Sequence, residues 1–239
     1  MGTSVDSRNA DAITGISSMA MRDVLGELAE AYEQRTSQRV AIVSTGGVDA
    51  ARRITNGEVF DFVVLAADAI EQLTANGKIT PGTRTDLARS SIAIAVAAGA
   101  PRPDVQSEAA LREAILRART IGYSTGPSGA HLARLFERWG IADAIASRIV
   151  QAPPGVPVAT LIARGDVELG FQQLSELMHA RGVDVVGPLP PDIQSVTVFS
   201  AAICAASTQA ATAKALLSFL ASPQADAAKR RYGMAPIGV

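Results

Sequence analysis

The 239-residue chain reads as an α/β protein of two lobes with a ligand cleft between them. Three observations lead to that reading. Short β-branched apolar runs alternate with amphipathic stretches along the chain, the rhythm of strand–helix–strand units around a largely parallel sheet. Strand ends run into small-residue turns that open helices, in "STGGVDAARRI" (44–54) and "YSTGPSGAHL" (123–132), and such turns present backbone N–H groups to an anion. Two further apolar runs, 90–98 and 195–205, are placed to carry the chain from one lobe to the other and back.

The elements follow in order. AITGISS (12–18) is a short strand and turn, and Met21 to Thr36 sets Val24, Leu25, Leu28, Ala31 and Tyr32 at helical spacing. RVAIVST (39–45) alternates and is β-branched, hence a strand; DAARRITNGE is a helix stopped by Gly57. FDFVVLAA (60–67) is a buried strand, and DAIEQLTANGK is a short helix ending at Gly77. SSIAIAVAAG (90–99) is a strand, EAALREAILRA (108–118) a helix, and TIGYST (120–125) a strand running into the turn and helix that follow. SRIVQA, VPVATLIARG, VELGFQQ and VDVVGPL continue the alternation. VTVFSAAICAA is a strand, and ATAKALLSFLASPQADAAKRRYG is one or two amphipathic helices. The lobes expected are 10–90, 91–195 and a return over 196–239.

Composition narrows the function classes. The net charge is −1, with no basic tract for a nucleic-acid backbone, and aromatic residues make up only 4%, too few for stacking platforms. Cys204 is the single cysteine and lies in an apolar run, so it reads as a core residue; with two histidines, a thiolate or three-histidine metal site is not expected, nor any cofactor. No run approaches the roughly 18 apolar residues of a membrane span. The opening MGTSVDSRNADA is polar and lacks the apolar core of a signal peptide. The location expected is periplasmic if a leader is trimmed upstream, and cytoplasmic otherwise. No Lys-Ser or Lys-Thr pair follows either glycine turn, and neither G-x-S-x-G nor H-E-x-x-H occurs, so those hydrolase chemistries are not expected.

The stretches "LAEAYEQRTSQRVAIVSTGGVDAARRITNGEVFDFVVLAAD", "LARLFERWGIAD", "LIARGDVELGF" and "FLASPQADAAKRRYG" resemble the type II periplasmic solute-binding proteins of ABC importers, and most closely their molybdate-binding branch. The resemblance implies a type II periplasmic-binding-protein fold and an ABC importer complex in the membrane as partner. It also implies an oxyanion held by two serines, backbone N–H groups and a tyrosine. Those positions fall at about Ala20 (with Ser17 and Ser18 nearby), Gly47, Ser128, Gly155 or Val156, and Gln173. The changed hydroxyls direct attention to a different anion. Arg22, Arg52, Arg53, His131 and Arg134 lie within a turn or two of the site loops, and guanidinium forks suit carboxylates. Gly46 and Gly47 leave room for a ligand larger than a tetrahedral oxyanion.

Three functions follow from this reading. One is a solute-binding protein for a small di- or tricarboxylate. Another is an isomerase resembling aconitate isomerase, which shares the fold and interconverts trans- and cis-aconitate by a proton shift; His131 is then the first choice of base and Glu176 the second. The third is molybdate or tungstate binding for an importer. The binding set expected is Ser17, Ser18, Arg22, Thr45, Gly46, Gly47, Arg53, Ser128, Gly129, His131, Val156, Gln172 and Gln173. Each has a plainer reading beside it. Ser128 serves equally as an N-cap, His131 as a packed or solvated side chain, and adjacent Arg52 and Arg53 point about 100° apart on a helix. Gln172 and Gln173 end an apolar strand, where polar groups are costly unless paired.

Overall fold

The computed structural model describes residues 12–238. The polar opening stretch read above for leader character lies almost wholly outside them, as do the first two residues of the 10–90 lobe.

Strand β1 (Ile13–Ser18) leads through a 3-10 turn (Met19–Met21) into α1 (Arg22–Thr36), which buries Val24, Leu25, Leu28 and Tyr32 along one stripe. Two more units repeat the pattern: β2 (Val40–Thr45) with α2 (Gly47–Thr55), and β3 (Phe62–Ala66) with α3 (Ala67–Ala75). β4 (Thr85–Ala97) follows, then α4 (Glu108–Arg117), β5 (Ile121–Tyr123), α5 (Pro127–Arg138) and the single turn α6 (Ala142–Ile145). β6 (Ile149–Gln151), α7 (Val158–Arg164), β7 (Leu169–Gln173), α8 (Leu174–Leu177) and β8 (Val183–Pro188) complete the middle of the chain. β9 (Val196–Ile203), α9 (Ala210–Ala221), α10 (Asp226–Arg231) and the two-residue β10 (Ala235–Pro236) close it. The C-terminal amphipathic stretch is thus two helices, separated at Pro223, which has no N–H to continue α9.

The strand order is β2-β1-β3-β9-β4-β7-β5-β6, with β8 and β10 also on β4. β1, β2 and β3 are mutually parallel, as are β5, β6 and β7. β9 and β4 are antiparallel to their neighbours, so the sheet is mixed rather than largely parallel. β4 also begins at Thr85, earlier than the apolar run at 90, because Asp86 and Arg89 disguise its first half. Asp86 is held there by the Ser200 hydroxyl at 2.6 Å.

β4 is shared between two parts of the sheet. Residues 85–91 pair with β9, whereas 92–97 pair with β7 and β8. The Gln194 side chain fastens the crossing: its carbonyl accepts from the Ile92 N–H at 3.0 Å, and its amide donates to the Ile92 and Leu189 carbonyls. Apolar packing divides in the same way. Phe62, Leu25 and Leu216 pack on one side of the β1–β3–β9 half, and Ile16, Leu65 and Ile70 on the other. Phe171, Ile121 and Leu135 form a core on one side of the β5–β7 half, and Val158, Ile162 and Leu177 on the other.

Candidate functional site

Parallel strands of one sheet finish on the same side, so the turns that follow them converge there. Here they enclose a cavity of about 340 Å³. Ser18 enters it from the end of β1, Gly46 and Gly47 from the β2–α2 turn, and Ala66 and Asp68 from the β3–α3 turn. From the other half come Ser124 to Ser128 of the β5–α5 turn, the loop 152–156, and Gln172, Gln173 and Glu176 of β7–α8. The two walls approach closely: a Cβ placed on Gly46 would lie 3.7 Å from the Gly155 nitrogen. Gly155 itself has φ +78, a backbone that side-chain-bearing residues rarely adopt, and this turns the loop toward Gly46.

Helices α2, α3 and α5 start here without a side-chain cap. In α2 the first helical bond runs from the Ala50 N–H to the Gly46 carbonyl, and in α5 from Ala130 to Gly126. The N–H groups of Gly47, Val48, Ser128 and Gly129 therefore have no helical acceptor, and the dipoles of both helices favour negative charge at this end. α3 answers part of its own need, since Asp68 accepts from the Ala69 N–H at 3.0 Å. Gly129 is required for packing: a Cβ would sit 1.7 Å from the Ser124 carbonyl oxygen.

Two buried polar atoms in the cavity lack a partner among the described residues, the Ser18 hydroxyl and the Gln173 carbonyl oxygen. The Gln173 amide nitrogen donates to the Thr197 hydroxyl at 2.9 Å. Its neighbour Gln172 is satisfied at both ends. Its carbonyl accepts from the Val158 N–H at 2.9 Å, and its amide donates to the Glu176 carboxyl at 2.6 Å. Burial pushes Glu176 up to about 8, against the Gln172 hydrogen bond and the Arg22 charge, which both favour the ionised form. Its carboxyl is thus held well above the ordinary carboxylate range, inside a pocket whose hydrogen-bond donors are neutral. Among the described residues lining the cavity there is no lysine, arginine or histidine.

The structure brings together Ser18, Gly46, Gly47, Ser128, Val156, Gln172, Gln173 and Glu176. It leaves six of the expected residues off the lining. His131 turns its ring to the Ile193 carbonyl, 2.8 Å away. Arg22 is exposed and bonds Asp23 at 2.9 Å; Arg53 bonds Glu58 at 2.6 Å and covers the Phe60 ring. The Ser17 hydroxyl points to Ser44 at 2.8 Å, and that of Thr45 to Asp49 at 3.0 Å. Gly129 lies under Ser124, as described. Arg52 likewise pairs with Asp49.

Sequence reading passed over Asp68, Gln72 and Pro154, which also line the cavity. The signal for the first two was the end of a third parallel strand at "VLAAD", in the same structural place as "STGG". Among the described residues no cluster of three His, Cys, Asp or Glu side chains could hold a metal, and no helix is long and apolar enough to cross a membrane. Cys204 is buried in the core.

Residues 13–235 match the family described as bacterial extracellular solute-binding protein, and the chain belongs to it. It is 35% identical over 231 residues to an aconitate isomerase of Pseudomonas sp, covering 94% of this chain and 88% of that protein. It is 26% identical over 216 residues to the molybdate-binding protein ModA of Azotobacter vinelandii, covering 87% of this chain and 83% of that one. In fold it is similar to the solved periplasmic molybdate-binding protein of Azotobacter vinelandii. That match has a TM-score of 0.78 and 22% identity, over 93% of this chain and 98% of the other.

Proposed function

We propose that the cleft binds a small polycarboxylate and moves a proton on it, interconverting trans- and cis-aconitate. The observation that carries this reading is the placement of Glu176. A half-buried carboxyl, pushed up to about 8 by desolvation, stands beside a cradle of backbone donors. A general base works best when its pKa lies near the working pH. The 35% identity to an aconitate isomerase supports the same reading.

The step is a redox-neutral allylic shift. Ionised Glu176 takes a proton from the methylene carbon of the substrate. The electron pair moves into a new double bond as the old one delocalises toward a carboxylate. The carboxylic acid of Glu176 then returns a proton to the former vinyl carbon. The charge that develops on the substrate carboxylate is met by the N–H groups of Ser128, Gly47 and Val48 and by the Ser18 hydroxyl. Gln172 holds Glu176 in place and is itself held by Val158. The cavity, about 340 Å³, lies at the small end of the roughly 300–1,000 Å³ usual for ligand pockets.

The test is turnover of trans-aconitate by the protein and by Glu176→Gln. The expected result is cis-aconitate from the former. The variant should keep its binding and lose about 10²- to 10⁴-fold in rate, the usual worth of a general base.

A second reading is favoured by the neutral donor set. Protonated Glu176 is a hydrogen-bond donor, and a cleft of neutral donors suits an anion that is held and released by hinge closure, as in an importer's receptor. The anion is then a carboxylate or, through the Ser18 and Ser128 hydroxyls, an oxyanion. The partner is an ABC importer complex, and the location is periplasmic. Tight stoichiometric binding without turnover supports this second reading.

A further inference from the structure

A second basin of about 480 Å³ adjoins the cleft. Glu176 lines both cavities and is the one residue they share. The basin is bounded by Arg22 and Asp23 at the start of α1, by Thr160 and Arg164 of α7, and by the segment from Ser175 to Arg181. Its walls therefore come from both halves of the sheet.

The charges do not cancel. Arg22 is bonded to Asp23. His179 is committed to the Arg231 carbonyl at 2.8 Å and stands edge-on to Tyr232. Arg164 and Arg181 are exposed and, among the described residues, have no ion-pair partner. Ser175, which also lines the basin, is 6% exposed and its hydroxyl has no hydrogen-bond partner among the described residues. A buried unpaired hydroxyl is costly, and a ligand oxygen in the basin would satisfy it. Guanidinium forks bind carboxylates through paired hydrogen bonds. With the two unpaired forks on separate elements, an occupant with more than one carboxylate fits better than a single compact anion.

We infer that this basin is a second anion site, for a small polycarboxylate held by Arg164, Arg181 and the Ser175 hydroxyl. It does not depend on whether the cleft catalyses or only binds. Its occupant would touch elements of both halves and Glu176, which the two cavities share, so it is placed to influence the cleft.

The test is calorimetric titration of the intact protein with citrate, a tricarboxylate probe, at fixed ionic strength so that general screening is constant. The expected result is a citrate site that weakens at least about tenfold in the double variant Arg164→Ala/Arg181→Ala, a loss of roughly 1.4 kcal/mol. Ser175→Ala should weaken the same site several-fold. Both arginines are exposed, and an unchanged melting temperature verifies the fold of the variant. Citrate binding in the double variant that equals that of the unaltered protein, or no citrate binding at all, overturns the inference. Turnover of aconitate is a separate reading of the cleft and is decided by a separate assay.

Discussion

Gln172 donates its amide N–H to the Glu176 carboxyl at 2.6 Å while its own carbonyl accepts from the Val158 backbone N–H. The pair joins the end of β7, the start of α7 and the one acidic side chain that lines both cavities. α8 begins immediately after Gln173, so Gln172 and Glu176 fall four residues apart across the strand-to-helix turn.

Stability should fall with pH because of Glu176, and Glu176→Gln should remove that fall. The folded-state value of about 8 lies above the ordinary 4.5. Between those values the folded protein keeps a proton that the unfolded chain has released. Stability is therefore fully present below about 4.5, declines toward about 8 and is flat beyond it. At about 1.4 kcal/mol per unit, the loss is on the order of a few kcal/mol. Melting temperatures of both proteins from about pH 5 to about pH 9 check this; the variant should be the more stable at the alkaline end.

Gln172→Leu should cost roughly 1–3 kcal/mol, because it leaves the Val158 N–H and the Glu176 carboxyl without partners. It also removes a hydrogen bond that favours ionised Glu176, so the carboxyl should titrate higher still. The rising limb of the pH–rate profile should move to higher pH in this variant. A purely structural role would lower stability without moving that limb.

His131→Ala should leave turnover intact. The ring is bound to the Ile193 carbonyl and is off the cavity lining. The expected effect is a stability loss of about 0.5–1.5 kcal/mol from that hydrogen bond. Loss of turnover in a folded His131→Ala protein would return the base role to His131.

Gly47→Ala should fold normally and bind poorly. The added Cβ would meet the Ser18 Cβ at 3.8 Å and Leu65 at 3.9 Å, ordinary contact distances. It would, however, occupy the cavity beside the free Ser18 hydroxyl. Affinity for trans-aconitate should fall about tenfold, or roughly 1.4 kcal/mol, at an unchanged melting temperature.

Most of the architecture was legible because it depends on local pattern. β-branched runs such as RVAIVST and apolar helical stripes such as Val24–Leu25–Leu28 specify their elements without tertiary help. The first half of β4 was not legible, since Asp86 and Arg89 break the apolar pattern; Asp86 is accommodated by Ser200 of β9 together with Arg84, and Arg89 is exposed. The lining of the candidate cavity was legible as far as its turns and the Gln172–Gln173 pair. Its chemistry was harder to read. His131 lies three residues after Ser128 on α5, near enough in helical phase to suggest the cleft, but the ring swings to Ile193, which is distant in sequence. The arginines have local carboxylate partners in Asp23, Asp49 and Glu58, and those pairings decide their direction. Glu176 acquires its character from burial, which spacing alone does not reveal.

Proton NMR of trans-aconitate in deuterated buffer, with a catalytic amount of the protein, tests the proposed role of Glu176 and the cleft most directly. The expected spectrum shows cis-aconitate accumulating with loss of the exchanged carbon-bound proton resonance, and Glu176→Gln slowing both changes by about 10²- to 10⁴-fold. A protein that binds trans-aconitate yet leaves its spectrum unchanged contradicts the proton-shift reading and leaves the cleft as a receptor.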